Sequence, residues 1–152
     1  MTKIPDNLKA SNLVRNKLLQ CGGTAMCTTL RGKQHIFEIC NHNHSFRSAT
    51  ALHNKIYDFT VFDCVVDLLL ESPEYRAVKG GGRDEKDKLG YGNAGYDTVV
   101  GAIGKTYEGK RQGESVNAPA FIVCAILEWA GLVDVEYKYV KLSHAYKQQL
   151  GI

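Results

Sequence analysis

The segment Phe121-Ile122-Val123-Cys124-Ala125-Ile126-Leu127-Glu128-Trp129 constrains the fold more than any other. A single carboxylate interrupts an otherwise apolar stretch, so whatever it forms has to lie inside a core. Pro119 suits a first helical turn and Gly131 a stop, which predicts a helix over Ala118–Ala130 with Asn117 as its cap. The stretch is far shorter than the ~18 apolar residues of a membrane span, and no membrane partner is expected. A chain of 152 residues is long enough to bury such a helix in one domain.

A second apolar segment, Ser48–Glu71, reads as one long helix or as two with a break near Thr60. Leu52, Ile56, Phe59, Val66 and Leu70 follow helical steps, while Val61, Cys64, Val65 and Leu68 cover the opposite side. The β-branched and aromatic residues of Tyr57–Val66 also allow a strand there. Before it, Thr24–Leu30 and Gln34–Cys40 read as a hairpin turning at Arg31-Gly32-Lys33. Asp6–Gln20 reads as a first helix stopped by Gly22-Gly23, and Asp97 as the cap of a short helix to Tyr107. Leu132–Leu142 alternates like a strand, and Ser143–Leu150 like a terminal helix. The expected fold is therefore a single α+β domain spanning 1–152: central apolar helices, an N-terminal β-hairpin, a C-terminal strand and a long glycine-rich loop. Dimerisation through the apolar helices is compatible with this pattern.

Helix, turn, helix and strand in 97–142 also suggest a winged helix. The second helix would then be the reader, and its Phe, Ile, Val, Leu and Trp face is unsuited to a DNA groove.

Glycine is the compositional outlier, with 15 residues against 3 prolines. Ten of them lie between Gly80 and Gly113. Residues 79–95 show no apolar period and read as a loop longer than compact domains usually contain without a function. The bases Arg76, Lys79, Arg83, Lys86, Lys88, Lys105, Lys110 and Arg111 run through this region, interleaved with Tyr75, Tyr91, Tyr96 and Tyr107. Glycines let backbone approach a phosphate, bases neutralise it, and tyrosines stack on bases. Residues 1–21 add four bases against one acid, and the whole chain carries a net charge of +3. The expected partner is nucleic acid, DNA in particular, held by these bases and by Tyr91. A protein partner that orders the glycine loop is the non-catalytic alternative.

Catalytic and metal-binding candidates are less specific. Asp134, Glu136 and Lys138 alternate along the C-terminal strand and would share one face, where they could hold Mg²⁺ for attack on a phosphodiester. The set resembles the D…(D/E)-x-K arrangement of restriction-type nucleases. It departs from it in the first acid, which is only two residues upstream instead of on a separate strand. Asp63 falls among apolar residues and is a further catalytic or metal-ligand candidate, the alternative being a structural pair with a base from the N-terminal third. Cys21, Cys27, Cys40, His42 and His44 include enough soft ligands for Zn²⁺, but without a C-x2-C knuckle. Gly104-Lys105-Thr106 matches the end of a phosphate-binding P-loop, yet Val99 stands where that motif requires glycine. Five cysteines and no apolar leader after Met1 lead to an expectation of reduced thiols and a cytoplasmic protein.

Overall fold

A computed structural model describes residues 4–82 and 84–152. The apolar segment forms a helix whose residues from Ile122 to Leu127 are all buried. The helix starts later than its cap signals suggest. Pro119 is the N-cap, the helical residues are Ala120–Trp129, and no side chain caps them. Gly131, at φ +80°, ends it as expected.

In chain order the elements are α1 (Ala10–Gln20), β1 (Thr24–Thr28), β2 (Gln34–Cys40), β3 (Ser45–Arg47), α2 (Ala49–Leu52), β4 (Tyr57–Asp58) and α3 (Thr60–Glu71). Then come β5 (Arg76–Val78), α4 (Val99–Ala102), α5 (Ala120–Trp129), β6 (Val133–Val135), β7 (Tyr139–Leu142) and α6 (His144–Leu150). The chain is a single compact α+β domain with two antiparallel sheets, one ordered β1-β2-β3-β4 and one β5-β7-β6. The predicted hairpin forms in register, from Thr24 opposite Glu38 to Thr28 opposite Gln34.

Besides the later start of α5, the short helix read as capped by Asp97 is capped by Thr98, whose hydroxyl accepts the Gly101 N–H at 3.0 Å, and two further segments differ in kind. Ser48–Glu71 is neither one helix nor two long ones: α2 is a single turn, the chain then extends through β4, and α3 starts at Thr60. His53 and Asn54 adopt left-handed backbone at φ 50° and 62°, which ends the first turn. Leu132–Leu142 is a hairpin, not one strand, because the chain reverses over 136–138 and pairs Val133 with Leu142.

The core is continuous between the sheets and helices. Val61, Phe62, Val65, Val66 and Leu69 of α3 are buried together with Ile122–Leu127 of α5. The apolar helix faces, which left dimerisation compatible with the sequence, are internal to the domain. An aromatic stack links the first sheet to α3 and beyond: Phe46 lies 5.1 Å from Phe62 and 5.5 Å from Phe59, and Tyr57 lies 5.8 Å from Tyr107. Each such pair adds about 0.5–1.5 kcal/mol to the area it buries.

Asp63 has a structural role of its own. Its Oδ1 accepts the backbone N–H of Ser11 at 2.9 Å, in the first turn of α1. Its partner is therefore a helix N-terminus instead of the expected base, and the carboxylate suits the positive end of that helix.

Candidate nucleic-acid interface

The glycine-rich region is a loop, as expected from its sequence, and it is packed against the rest of the domain. Leu89, in the middle of it, is fully buried. Its N–H donates to the Glu114 carbonyl at 3.0 Å, and its carbonyl accepts the Gly113 N–H at 2.9 Å. Asp87 is only 3 % exposed, and its Oδ1 accepts the Asn93 N–H at 2.7 Å. The reason for glycine is steric at several positions. A Cβ on Gly82 would stand 1.9 Å from the Val116 carbonyl oxygen, and one on Gly101 would stand 1.9 Å from that of Gly95. Real Cβ contacts to backbone oxygens do not come that close, so these positions exclude every other residue as the chain is arranged. Backbone here approaches backbone, where the sequence had suggested approach to a ligand.

The packed turns of this region bring several basic and aromatic side chains close together. Tyr91 is half exposed, and its phenol oxygen accepts the Gln112 Nε2–H at 2.9 Å. Gly90 lies between Gln112 and the Tyr96 ring. Lys105 sits over the Tyr96 ring at 4.9 Å. Lys88 donates to Ser115 Oγ at 2.9 Å, and Lys110 donates to the Ser115 carbonyl at 2.7 Å. Arg111 is exposed beside them, with its N–H bonded to Glu114 Oε1 at 2.7 Å. Lys86 is exposed one residue before Asp87.

Other members of the expected set lie elsewhere. Arg76, on β5, stacks over Tyr139 at 3.9 Å and is aligned with Lys141 across the second sheet. Lys79 continues that edge, its N–H bonded to the Lys138 carbonyl at 2.9 Å. Arg83 lies outside the described residues. Tyr107 is absorbed into the aromatic stack, where its phenol oxygen accepts the Asp58 N–H at 2.8 Å. Burial pushes its phenol above the ordinary range. Three basic residues of the N-terminal third are also engaged. Arg15 donates to the Asn43 carbonyl and covers Phe59, Lys17 donates to the Trp129 carbonyl and covers its ring, and Arg47 pairs with Glu38 at 2.7 Å.

The catalytic and metal sets come apart. Asp134 is on β6, whereas Glu136 and Lys138 belong to the reversal after it, so the three do not form one strand face. Asp134 lies opposite Lys141, and Glu136 approaches Lys141 Nζ at 3.9 Å. For the zinc candidates, Cys27 is buried on β1 beside His35 of β2, with its thiol raised to about 11 by burial. Cys21 is exposed at the end of α1, and His42 and His44 are exposed in the β2–β3 turn. Among the described residues no group of three His, Cys, Asp or Glu side chains is placed to hold a metal.

Sequence reasoning missed a cleft of about 390 Å³. Gly80, Gly81 and Gly82 form one wall, the start of α5 from Asn117 to Phe121 another, and Leu52, His53, Lys55 and Tyr57 a third. The glycine triplet was the only signal for it, and nothing in the sequence paired that triplet with Lys55.

No helix among the described residues is long and apolar enough to cross a membrane. No protein-family model, curated protein or solved structure matches the chain.

Proposed function

We propose that the protein binds single-stranded nucleic acid on the surface built by Tyr91, Tyr96, Lys88, Lys105, Lys110 and Arg111. The supporting observation is the exposure of Tyr91 and Tyr96, 51 % and 41 %, on a region that is otherwise tightly packed. Exposed rings on a fixed support stack on bases at about 1–3 kcal/mol per base, and they do so whatever the base. The charge on this surface is nearly balanced, since Asp84, Glu85, Asp97, Glu108 and Glu114 accompany the bases and Glu108 approaches Lys110 at 3.5 Å. Phosphate neutralisation is therefore the smaller contribution, which favours a strand whose bases are open over a duplex that presents mainly phosphates.

Fluorescence anisotropy with a labelled single strand, the same sequence as duplex, and an RNA copy tests this reading. Single strands should bind more tightly than duplex, with a shallow salt dependence. Three phosphate contacts would give a slope of about −2 in log K against log salt. Tyr91→Ala should weaken binding by about 5- to 100-fold. Equal binding of duplex and single strand, unchanged in Tyr91→Ala/Tyr96→Ala, would refute the assignment.

A further inference from the structure

We propose that the cleft between the glycine triplet and the start of α5 binds a nucleoside 5′-monophosphate or a ligand of the same chemistry, a phosphate monoester carried on a planar ring system. The site is separate from the Tyr91 surface. Its volume, about 390 Å³, lies in the ordinary range of small-molecule sites.

Three features of the lining select the ligand. The first is charge. Lys55 and His53 line the cleft, and among the described residues no Asp or Glu does. Lys55 lies over the Tyr57 ring at 5.1 Å, so its ammonium is held at the cleft wall. The second is backbone. Gly80, Gly81 and Gly82 present main chain without side chains, and α5 opens opposite them without a side-chain cap. The Gly81 N–H is bonded to the Asn93 carbonyl at 2.9 Å, so the uncapped N–H groups at the start of α5 are the donors that favour a group with several acceptor oxygens. The third is the apolar part. Leu52, Val100, Ala120 and the half-exposed Phe121 ring offer a floor and an edge for a flat ring.

A buried polar atom beside the cleft gives independent support. Phe121 packs against His35, with ring centres 6.0 Å apart at 61°. His35 is 2 % exposed, and its Nδ1 is bonded to Thr50 Oγ1 at 2.8 Å. Its Nε2 is buried and has no partner within the described protein. Orphaned buried nitrogens are uncommon, and a ring nitrogen or exocyclic amine that moves Phe121 aside would supply the missing bond.

Gly81 permits a clean test, because a Cβ there meets nothing within 4 Å and its backbone is not left-handed. Gly81→Leu should therefore fold and fill the cleft. The amide spectrum of the ¹⁵N-labelled full chain is followed while AMP, GMP, CMP, UMP, adenosine or inorganic phosphate is added. At least one monophosphate should shift the amides of Gly81, Phe121 and Ile122 saturably. Adenosine and inorganic phosphate should each bind at least about tenfold more weakly, because each lacks half of the contacts. Lys55→Ala should weaken the monophosphate about tenfold or more, and Gly81→Leu should abolish the shifts while the rest of the spectrum is unchanged. Tyr91→Ala should leave them intact, which separates this site from polynucleotide binding. If Gly81→Leu disturbs the fold, Phe121→Ala, at an exposed side chain, takes its place with a loss expected. The inference is overturned if no monophosphate gives saturable shifts at these amides up to about 10 mM, a limit that corresponds to less than about 3 kcal/mol of binding. Saturable shifts indifferent to both Lys55→Ala and the cleft variants would overturn it equally.

Discussion

Replacing Gly101 by alanine pits two effects of opposite sign against each other. Gly101 lies inside α4, where alanine stabilises an isolated helix by about 1 kcal/mol relative to glycine. Its backbone φ is not left-handed, so no torsional penalty arises. The new Cβ, however, would stand 1.9 Å from the Gly95 carbonyl oxygen, 2.7 Å from its carbon and 3.0 Å from the Ala94 oxygen. To restore an ordinary contact of 3.4 Å from 1.9 Å, the 94–95 backbone must retreat by about 1.5 Å, and overpacking of this kind costs about 1–3 kcal/mol or more. Carbonyls cannot rotate away as a side chain does, and Gly95 is tied in place: its carbonyl accepts both the Thr98 N–H at 3.1 Å and the Thr98 hydroxyl at 2.7 Å. The upper end of that range, or beyond, is therefore expected, and the net loss is about 2 kcal/mol or more after the helix gain. For a chain of this size that corresponds to a fall in Tm of about 4–8 °C. Urea and thermal unfolding followed by circular dichroism measure it. Gly81→Ala is the control, since its Cβ meets nothing, and it should change stability by less than about 1 kcal/mol in either direction. If Gly101→Ala is as stable as the parent, or Gly81→Ala is equally damaging, the steric account of the glycine-rich region is wrong.

Two further outcomes are expected. Burial, together with the negative charges of Asp63 and Glu71, raises the Asp67 carboxyl above its ordinary value. An acid whose pKa is higher folded than unfolded releases its proton more readily on unfolding, so it lowers stability as pH rises through that window. Asp67→Asn should therefore raise Tm at pH 7, with the gain vanishing below about pH 3.8, the ordinary value, as measured by unfolding across pH. Thiol labelling should separate the cysteines by accessibility: Cys21 is exposed and should react first, whereas Cys124, buried in α5 with its thiol pushed up to about 12, should react only when the chain unfolds. Rapid labelling of Cys124 in the native protein would mean that α5 is not held in the core.

What was legible in the sequence is what side-chain period can express. The hairpin was readable because two runs that favour extended chain flank the Arg31-Gly32-Lys33 turn, and α5 because a nearly uninterrupted apolar run allows only burial. β3 and β4 were not, since strands of three and two residues carry no period and exist only by pairing with neighbours, as Phe46 does with Tyr57. The 132–142 hairpin was hidden because Asp134, Glu136 and Lys138 keep a two-residue alternation straight through a reversal that has neither glycine nor proline. That same alternation suggested the catalytic set. Asp63 was correctly read as needing a partner, but a backbone amide leaves no letter in the sequence, and bases were the only partners in view.

The glycine-rich region bears most directly on function. Its glycines are equally compatible with a mobile loop and with chain packed on chain, because a residue without a side chain carries no periodic signal. The distinguishing residues were the few apolar ones among them, Leu89, Val99, Val100 and Val116, all buried. A mobile tract has little reason to space apolar residues so that Leu89 and Val116 can close on Gly104, as they do here. The distinction changes the energetics of any ligand on this surface. A loop that orders on binding loses affinity to the backbone entropy of every residue it fixes, about 1–2 kcal/mol each. Tyr91 and Tyr96 stand on chain already held by the Leu89–Glu114, Gly113–Leu89 and Asp87–Asn93 hydrogen bonds, so that cost falls on folding instead of binding. Two stacked bases can then suffice for measurable affinity without a strong positive field, which is consistent with a surface whose acids nearly match its bases.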